Sequence, residues 1–233
     1  MVTGNTASGT FYVFNKKEQS IPIVFVHGVG LTYEIWQPQL DFFKDYSNLS
    51  YDILGHGKSS LTKQNISFND FSDQLIELIN ELKIEKIHLV GFSIGSLVAR
   101  NFATRYGERL RSLILLGSIY KRSEQQQKIV NERFNQAKKE LKLSRSALKR
   151  WFTDKYLENN PGTYEKISSI LSGNNMANFL KVYELFVKHK NDEDFEKIQA
   201  KTLVMTGEYD IGSTTEMSQQ LNNVIEDSEL KII

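Results

Sequence analysis

Ile87-His88-Leu89-Val90 is a short apolar run that passes through Gly91-Phe92-Ser93-Ile94-Gly95 into an amphipathic segment, Ser96 to Tyr106. The first piece predicts a strand and the last a helix. A serine at so sharp a strand-to-helix turn takes a strained backbone conformation, which lifts its hydroxyl clear of the sheet. The residues two before and two after it must be small, because the turn presses them together. The same turn aims the Ile94 amide, and the positive end of the helix, at the space above Ser93. Gly-x-Ser-x-Gly alone is also found as a plain glycine-rich turn. Its place between a strand and a helix favours the reading of Ser93 as a presented nucleophile.

Strand and helix patterns alternate on both sides of this turn. Phe11 to Phe14, Ile21 to Val26, Asn48 to Ile53, Ile87 to Val90 and Leu113 to Leu116 read as strands. Trp36 to Asp45, Phe68 to Leu82 and Ser96 to Tyr106 read as helices. In the second helix Phe68, Phe71, Leu75, Leu78, Ile79 and Leu82 fall at helical spacing, with Asp70, Asp73, Glu77 and Glu81 between them. Such alternation predicts an α/β fold, a mostly parallel sheet with helices on both faces.

From Tyr120 the pattern changes to Lys, Glu, Gln and Asn with apolar residues at helical intervals. Ile129, Phe134, Ala137 and Leu141 mark one helix. Leu148, Trp151, Phe152 and Tyr156 mark a second, stopped before Pro161-Gly162, and Met176 to Phe186 a third. This stretch reads as an inserted helical cap, giving a core half at 1–119, a cap at 120–197 and the rest of the core at 198–233. In the last part Lys201 to Thr206 returns to strand, Glu216 to Ile225 to helix, and Leu230 to Ile233 to strand.

Composition narrows the function classes. The 233 residues are enough for a sizeable core. With 29 Lys+Arg against 28 Asp+Glu, the net charge of +1 offers no field to draw nucleic acid or an anionic membrane. The absence of cysteine excludes disulfides, thiolate metal sites and a cysteine nucleophile. The first ten residues lack the basic and apolar regions of a signal peptide, and no apolar run reaches membrane-spanning length. A cytoplasmic protein binding neither nucleic acid nor membrane is the expectation.

Acyl transfer also needs two preorganised amide donors for the developing oxyanion. Ile94 supplies one. The loop after the apolar strand Val24-Phe25-Val26, which runs His27-Gly28-Val29-Gly30, offers the other from Val29, with Gly28 and Gly30 letting the backbone turn inward. His27 reads as a residue that orders its own loop through hydrogen bonds rather than as a proton carrier.

Four segments together resemble the α/β-hydrolase fold of esterases, lactonases and C–C hydrolases. They are His27 to Gly30, Tyr51-Asp52-Ile53-Leu54-Gly55-His56-Gly57-Lys58-Ser59, Gly91 to Gly95, and Leu203-Val204-Met205-Thr206-Gly207-Glu208-Tyr209-Asp210. They come in the family's order and near its spacing, across almost the whole chain. The resemblance implies Ser93 as nucleophile and Asp210 as the acid that orients a histidine, with Glu208 as the nearby rival. It implies that Asp52 and His56 belong to a structural turn, and that no cofactor or metal takes part. Gly28, Gly30, Trp36 and Phe92 are expected to line a pocket for a small acyl substrate. A haloalkane dehalogenase is disfavoured, since that chemistry needs a carboxylate where Ser93 stands.

The family's histidine follows the final strand. Here the chain stops within the run Leu230 to Ile233, and none of His27, His56, His88 or His189 stands in that place. The expectation is a truncated hydrolase of esters, lactones or related acyl substrates. The alternatives are a C–C hydrolase of vinylogous diketones, or a non-catalytic binding protein that keeps the fold.

Overall fold

A computed structural model describes residues 1–18, 20–139, 149, 151–191 and 193–233. Eight strands form one sheet in the order β1-β2-β4-β3-β5-β6-β7-β8. They are β1 (Val2–Asn5), β2 (Phe11–Asn15), β3 (Ile23–Val26), β4 (Asn48–Tyr51), β5 (Ile87–Phe92), β6 (Leu110–Leu116), β7 (Thr202–Thr206) and β8 (Ser228–Ile232). β1 pairs antiparallel with β2, and β2 with β4; every pairing from β4 to β8 is parallel. The fold class read from the sequence is the one observed.

Period-two burial explains why these strands need cover on both faces. Val24 and Val26 of β3 and Leu89 of β5 turn to one side, against Leu75 and Leu78 of α2 (Phe68–Glu81) and Leu97 and Phe102 of α3 (Ile94–Arg105). Phe25 turns to the other side and meets Trp36 and Leu40. Ser67 starts α2 with a capping box, its amide donating to Asp70 Oδ2 at 2.8 Å.

Some boundaries differ from the sequence expectation. The helix expected over 36–45 is a 3-10 turn, Tyr33–Trp36, followed by a short α1 (Gln37–Phe42) with Pro38 in its first turn. β1 was not expected: it is a polar, exposed edge strand held by its pairing with β2. Between β6 and β7 the described helices are α4 (Glu124–Ala137), α5 (Asp154–Asn159), α6 (Thr163–Ser172) and α7 (Met176–Val187). α6 was not anticipated. Trp151 and Phe152 precede α5 instead of lying in it, because the Thr153 side chain caps that helix by accepting from the Tyr156 amide. Leu141 and Leu148, expected in helices, lie outside the described residues. A 3-10 turn at Phe195–Lys197 leads into β7, and α8 (Thr215–Val224) joins β7 to β8.

The helical segment sits over the loops at the carboxyl ends of β3, β4 and β5. Leu31 packs with Ile167, Ile170 and Leu171 of α6, with Phe92 at the edge of the cluster. The Asn174 side chain donates to Gly30 O at 2.8 Å.

Candidate active site

Ser93 occupies the turn between β5 and α3 at φ 55° and ψ −120°. No ordinary L-residue adopts this conformation without strain, and the surroundings must hold it there. Its amide donates to Leu116 O of β6 at 3.0 Å. A Cβ on Gly91 would stand 2.7 Å from Ser96 Cα, and one on Gly95 would stand 2.7 Å from His27 O. The two glycines are therefore what lets the turn close and lets α3 approach the end of β3.

The loop after β3 runs alongside. Among the described residues neither the Val29 amide nor the Ile94 amide has an acceptor, although both belong to well-packed backbone. Gly30, at φ 77°, has Leu171 and Phe179 over it; an added Cβ would lie 3.0 Å from the Phe179 ring. Gly28 lies under Phe92. Phe92 is half-buried between the loop, Gly117 and the Trp36 ring, which it meets edge-on at 6.5 Å. Trp36 itself is a correction to the expected pocket. At 4% exposure it is a core residue packed on Phe25 at 5.0 Å, and it reaches the site only through Phe92. The 3-10 turn at Tyr33–Trp36 points it inward.

Two buried histidines hold this loop. His56 Nε2 accepts from the Gly30 amide at 2.8 Å, and Nδ1 lies 3.2 Å from Leu54 O. His27 Nε2 accepts from the Ile53 amide at 3.0 Å, and Nδ1 lies 2.8 Å from Gly28 O. Both rings therefore carry their proton on Nδ1 and are neutral. Burial lowers His27 to about 4. Burial, with the neighbouring His27 ring, lowers His56 to about 3. The expectation that His27 orders its own loop holds, and His56 does the same from the facing turn. Asp52 is structural too: Oδ1 accepts from the Tyr33 amide at 2.8 Å and Oδ2 from the Lys58 amide at 2.9 Å. Burial raises its carboxyl, against the pull of these amides and the Lys58 charge.

Asp210 follows β7, as the sequence suggests. Its Oδ1 accepts from the amides of Gly212 at 2.7 Å and Ser213 at 2.9 Å. Oδ2 points the other way, toward Gly117 and Phe92 beside the serine turn. Ser213 Oγ donates to Gly117 O at 2.8 Å, tying the acid's loop to the end of β6. Glu208 is exposed. The arrangement thus brings together a strained serine and, among the described residues, two amides without acceptors and a carboxylate with one oxygen uncommitted.

The remaining histidines are engaged elsewhere. His88 Nδ1 lies 2.7 Å from Ser112 Oγ in the β5–β6 pair, and His189 Nε2 lies 3.3 Å from Glu193 Oε1 with its ring edge-on to Phe68. No group of three or more His, Asp or Glu able to hold a metal ion occurs among the described residues, nor any helix long and apolar enough to cross a membrane. Asn174, which fastens the helical segment to the loop, carries no signal in the sequence that separates it from any surface asparagine.

This fold and this site define a class, and the chain belongs to it: residues 21–233 match the α/β hydrolase fold family. Its relatives include hydrolases. It is 30% identical over 203 residues to an (E)-2-((N-methylformamido)methylene)succinate hydrolase from Acinetobacter baylyi, covering 86% of this chain and 76% of the relative. To 3-oxoadipate enol-lactonase 2 of the same organism it is 25% identical over 212 residues, 91% of this chain and 79% of the relative. Among solved structures, the enol-lactonase from Burkholderia xenovorans LB400 superposes with a TM-score of 0.83 at 19% identity, over 100% of this chain and 91% of that one. The latter likeness shows the shared fold.

Proposed function

We propose that this chain is a serine hydrolase of small esters, lactones or related acyl substrates. The observation that carries the reading is Ser93 at φ 55° beside the unused amides of Val29 and Ile94. In the proposed reaction Ser93 Oγ attacks the substrate carbonyl and its proton passes to an imidazole. The carbonyl oxygen becomes an oxyanion held by the two amides. Collapse of the tetrahedral intermediate expels the alcohol, which takes the proton from the imidazolium. Water then repeats the sequence on the acyl-enzyme and frees the acid. Asp210 Oδ2 is the acceptor that orients the imidazole. Gly28, Gly30 and Phe92 form the wall nearest the acyl group, and α6 and α7 cover it. The substrates named for the relatives, a substituted succinate and an enol-lactone, favour a small carbonyl substrate over a long-chain ester.

A second reading, a non-catalytic binding protein, is favoured by one observation: all four histidines are committed away from Asp210. One experiment separates the two. The protein is treated with a fluorophosphonate, with and without added free imidazole, and the labelled residue is located by mass spectrometry. The hydrolase reading expects imidazole-stimulated labelling at Ser93 that is lost in Ser93→Ala and weakened in Asp210→Asn. Labelling that ignores Ser93→Ala, or no labelling under either condition, favours the binding protein.

A further inference from the structure

Among the described residues the largest fully buried side chain is a charged one, Arg100, on α3 two turns beyond Ser93. Its guanidinium collects the two ends of the helical segment. From the outgoing end of β6 it reaches Ile119 O at 2.8 Å and Ser118 Oγ at 3.4 Å. From the stretch that returns to β7 it reaches Glu193 Oε2 at 2.6 Å and Asn191 Oδ1 at 3.3 Å. The face of the Phe195 ring covers it at 5.0 Å, and Phe195 meets Tyr120 edge-on at 5.6 Å. Ser118 and Ile119 on one side and Asn191, Glu193 and Phe195 on the other are thus joined through one cation.

Both junctions hold strained backbone. Lys121 has φ 45° and Asn191 has φ 53°; with Lys83 and Ser93 they are the non-glycine residues at positive φ among those described. Such conformations persist where neighbouring contacts over-determine them, and they concentrate where the chain must change direction. Arg122, next to the first junction, donates to Phe186 O and Val187 O at the end of α7, so this junction and the last helix are fastened as one piece. The first junction also touches the site: Leu116 O accepts from the Ser93 amide, and Gly117 O from Ser213 beside Asp210.

A buried ion pair is a poor source of net stability, because taking both charges out of water offsets most of their attraction. Its better-attested use is to fix one arrangement among several of similar energy. Burial alone would raise the Glu193 carboxyl, but His189 and Arg100 bring it down to about 2, so the pair is ionic. We propose that Arg100, gripping both junctions, is a positioning residue that sets where the helical segment sits over the Ser93 site. Its effect on turnover rests on the serine-hydrolase reading; its effect on the helical segment does not.

The test compares Arg100→Met, Glu193→Gln and the double variant Arg100→Met/Glu193→Leu with the unaltered protein, by amide hydrogen exchange and thermal melting. The single variants are expected to speed exchange in 163–187 by about tenfold or more relative to β3 and β5. The double variant removes both charges, and is expected to recover the melting temperature while exchange in 163–187 stays fast. In any hydrolytic assay KM is expected to rise more than kcat falls, since an ill-placed cover weakens binding first. Exchange that rises evenly through sheet and helices, or protection of 163–187 that returns with the melting temperature, would overturn the proposal. If Arg100→Met does not fold, Glu193→Gln, which keeps the side-chain volume, decides on the same readout. Hydrolysis that survives Ser93→Ala defeats the functional reading and leaves the exchange result standing.

Discussion

Lowering the pH from 7 to 5 should destabilise this protein steeply, through His27 and His56. Each imidazole ordinarily titrates near 6.5; in the fold, burial moves His27 to about 4 and His56 to about 3. A depressed folded pKa means that the unfolded chain takes up the proton first. The stability these rings contribute is complete above pH 6.5, and is lost as pH falls toward the folded values. At pH 5 the unfolded rings are almost fully protonated and the folded ones almost not. Each ring then withdraws about 2 kcal/mol, or about 4 kcal/mol for the pair, a large share of an ordinary domain's stability. Burial also lowers His88, with help from Arg111, so it adds in the same direction and His88→Gln is the control. Asp52, raised by burial, works in the opposite sense and offsets part of the drop. The assay is urea unfolding at pH 7, 6 and 5, on the unaltered protein and on His27→Asn and His56→Asn. Each variant should flatten the profile by about one proton. An unfolding free energy unchanged between pH 7 and 5, or an equal slope in the variants, would refute the argument that these rings are neutral clamps on the Val29 loop.

Gly95→Ala should destabilise by about 3 kcal/mol or more in chemical denaturation, because its Cβ would meet the backbone of Val26 and His27, which cannot swing aside. A cost below about 1 kcal/mol would mean the turn is looser than described. With an imidazole base available, Asp210→Asn should cut ester or lactone turnover by orders of magnitude with little change in melting temperature, whereas Glu208→Gln, at an exposed side chain, should leave turnover alone. The reverse pattern in steady-state kinetics would reassign the acid. Asn174→Ala should raise KM several-fold while leaving the circular dichroism of the sheet intact, since it frees Gly30 O from the helical segment. An unchanged KM would show that the loop holds its shape without that tether.

How much of this was legible in the sequence depends on the range of the interactions involved. Gly91, Ser93 and Gly95 announce themselves because a local turn imposes all three, and the alternation around them predicts the sheet. β1 escapes because Val2-Thr3-Gly4-Asn5 has no apolar alternation; its strand character comes from pairing with β2. α6 had a signal in Tyr164, Ile167, Ile170 and Leu171, but Pro161-Gly162 reads as the close of one helix rather than the approach to the next. Trp36 reads as a pocket residue because an aromatic near a glycine loop has two homes, and the direction of a 3-10 turn decides between them. Arg100 was invisible. A basic residue in an amphipathic helix reads as surface, and its partners lie as far as 93 residues along the chain.

The joint between the serine turn, the first junction of the helical segment and the acid's loop has two adjacent main-chain carbonyls as its acceptors. Leu116 O takes the Ser93 amide, and the next carbonyl, Gly117 O, takes Ser213 Oγ. Replacing the side chain at 116 or 117 leaves both carbonyls in place. A side-chain scan across the site will therefore reach the second contact through Ser213 but pass over the first, whose donor and acceptor are both main-chain atoms. Replacing the peptide bond at position 93 by an ester, which deletes that donor while keeping the serine, is the alteration that would expose it.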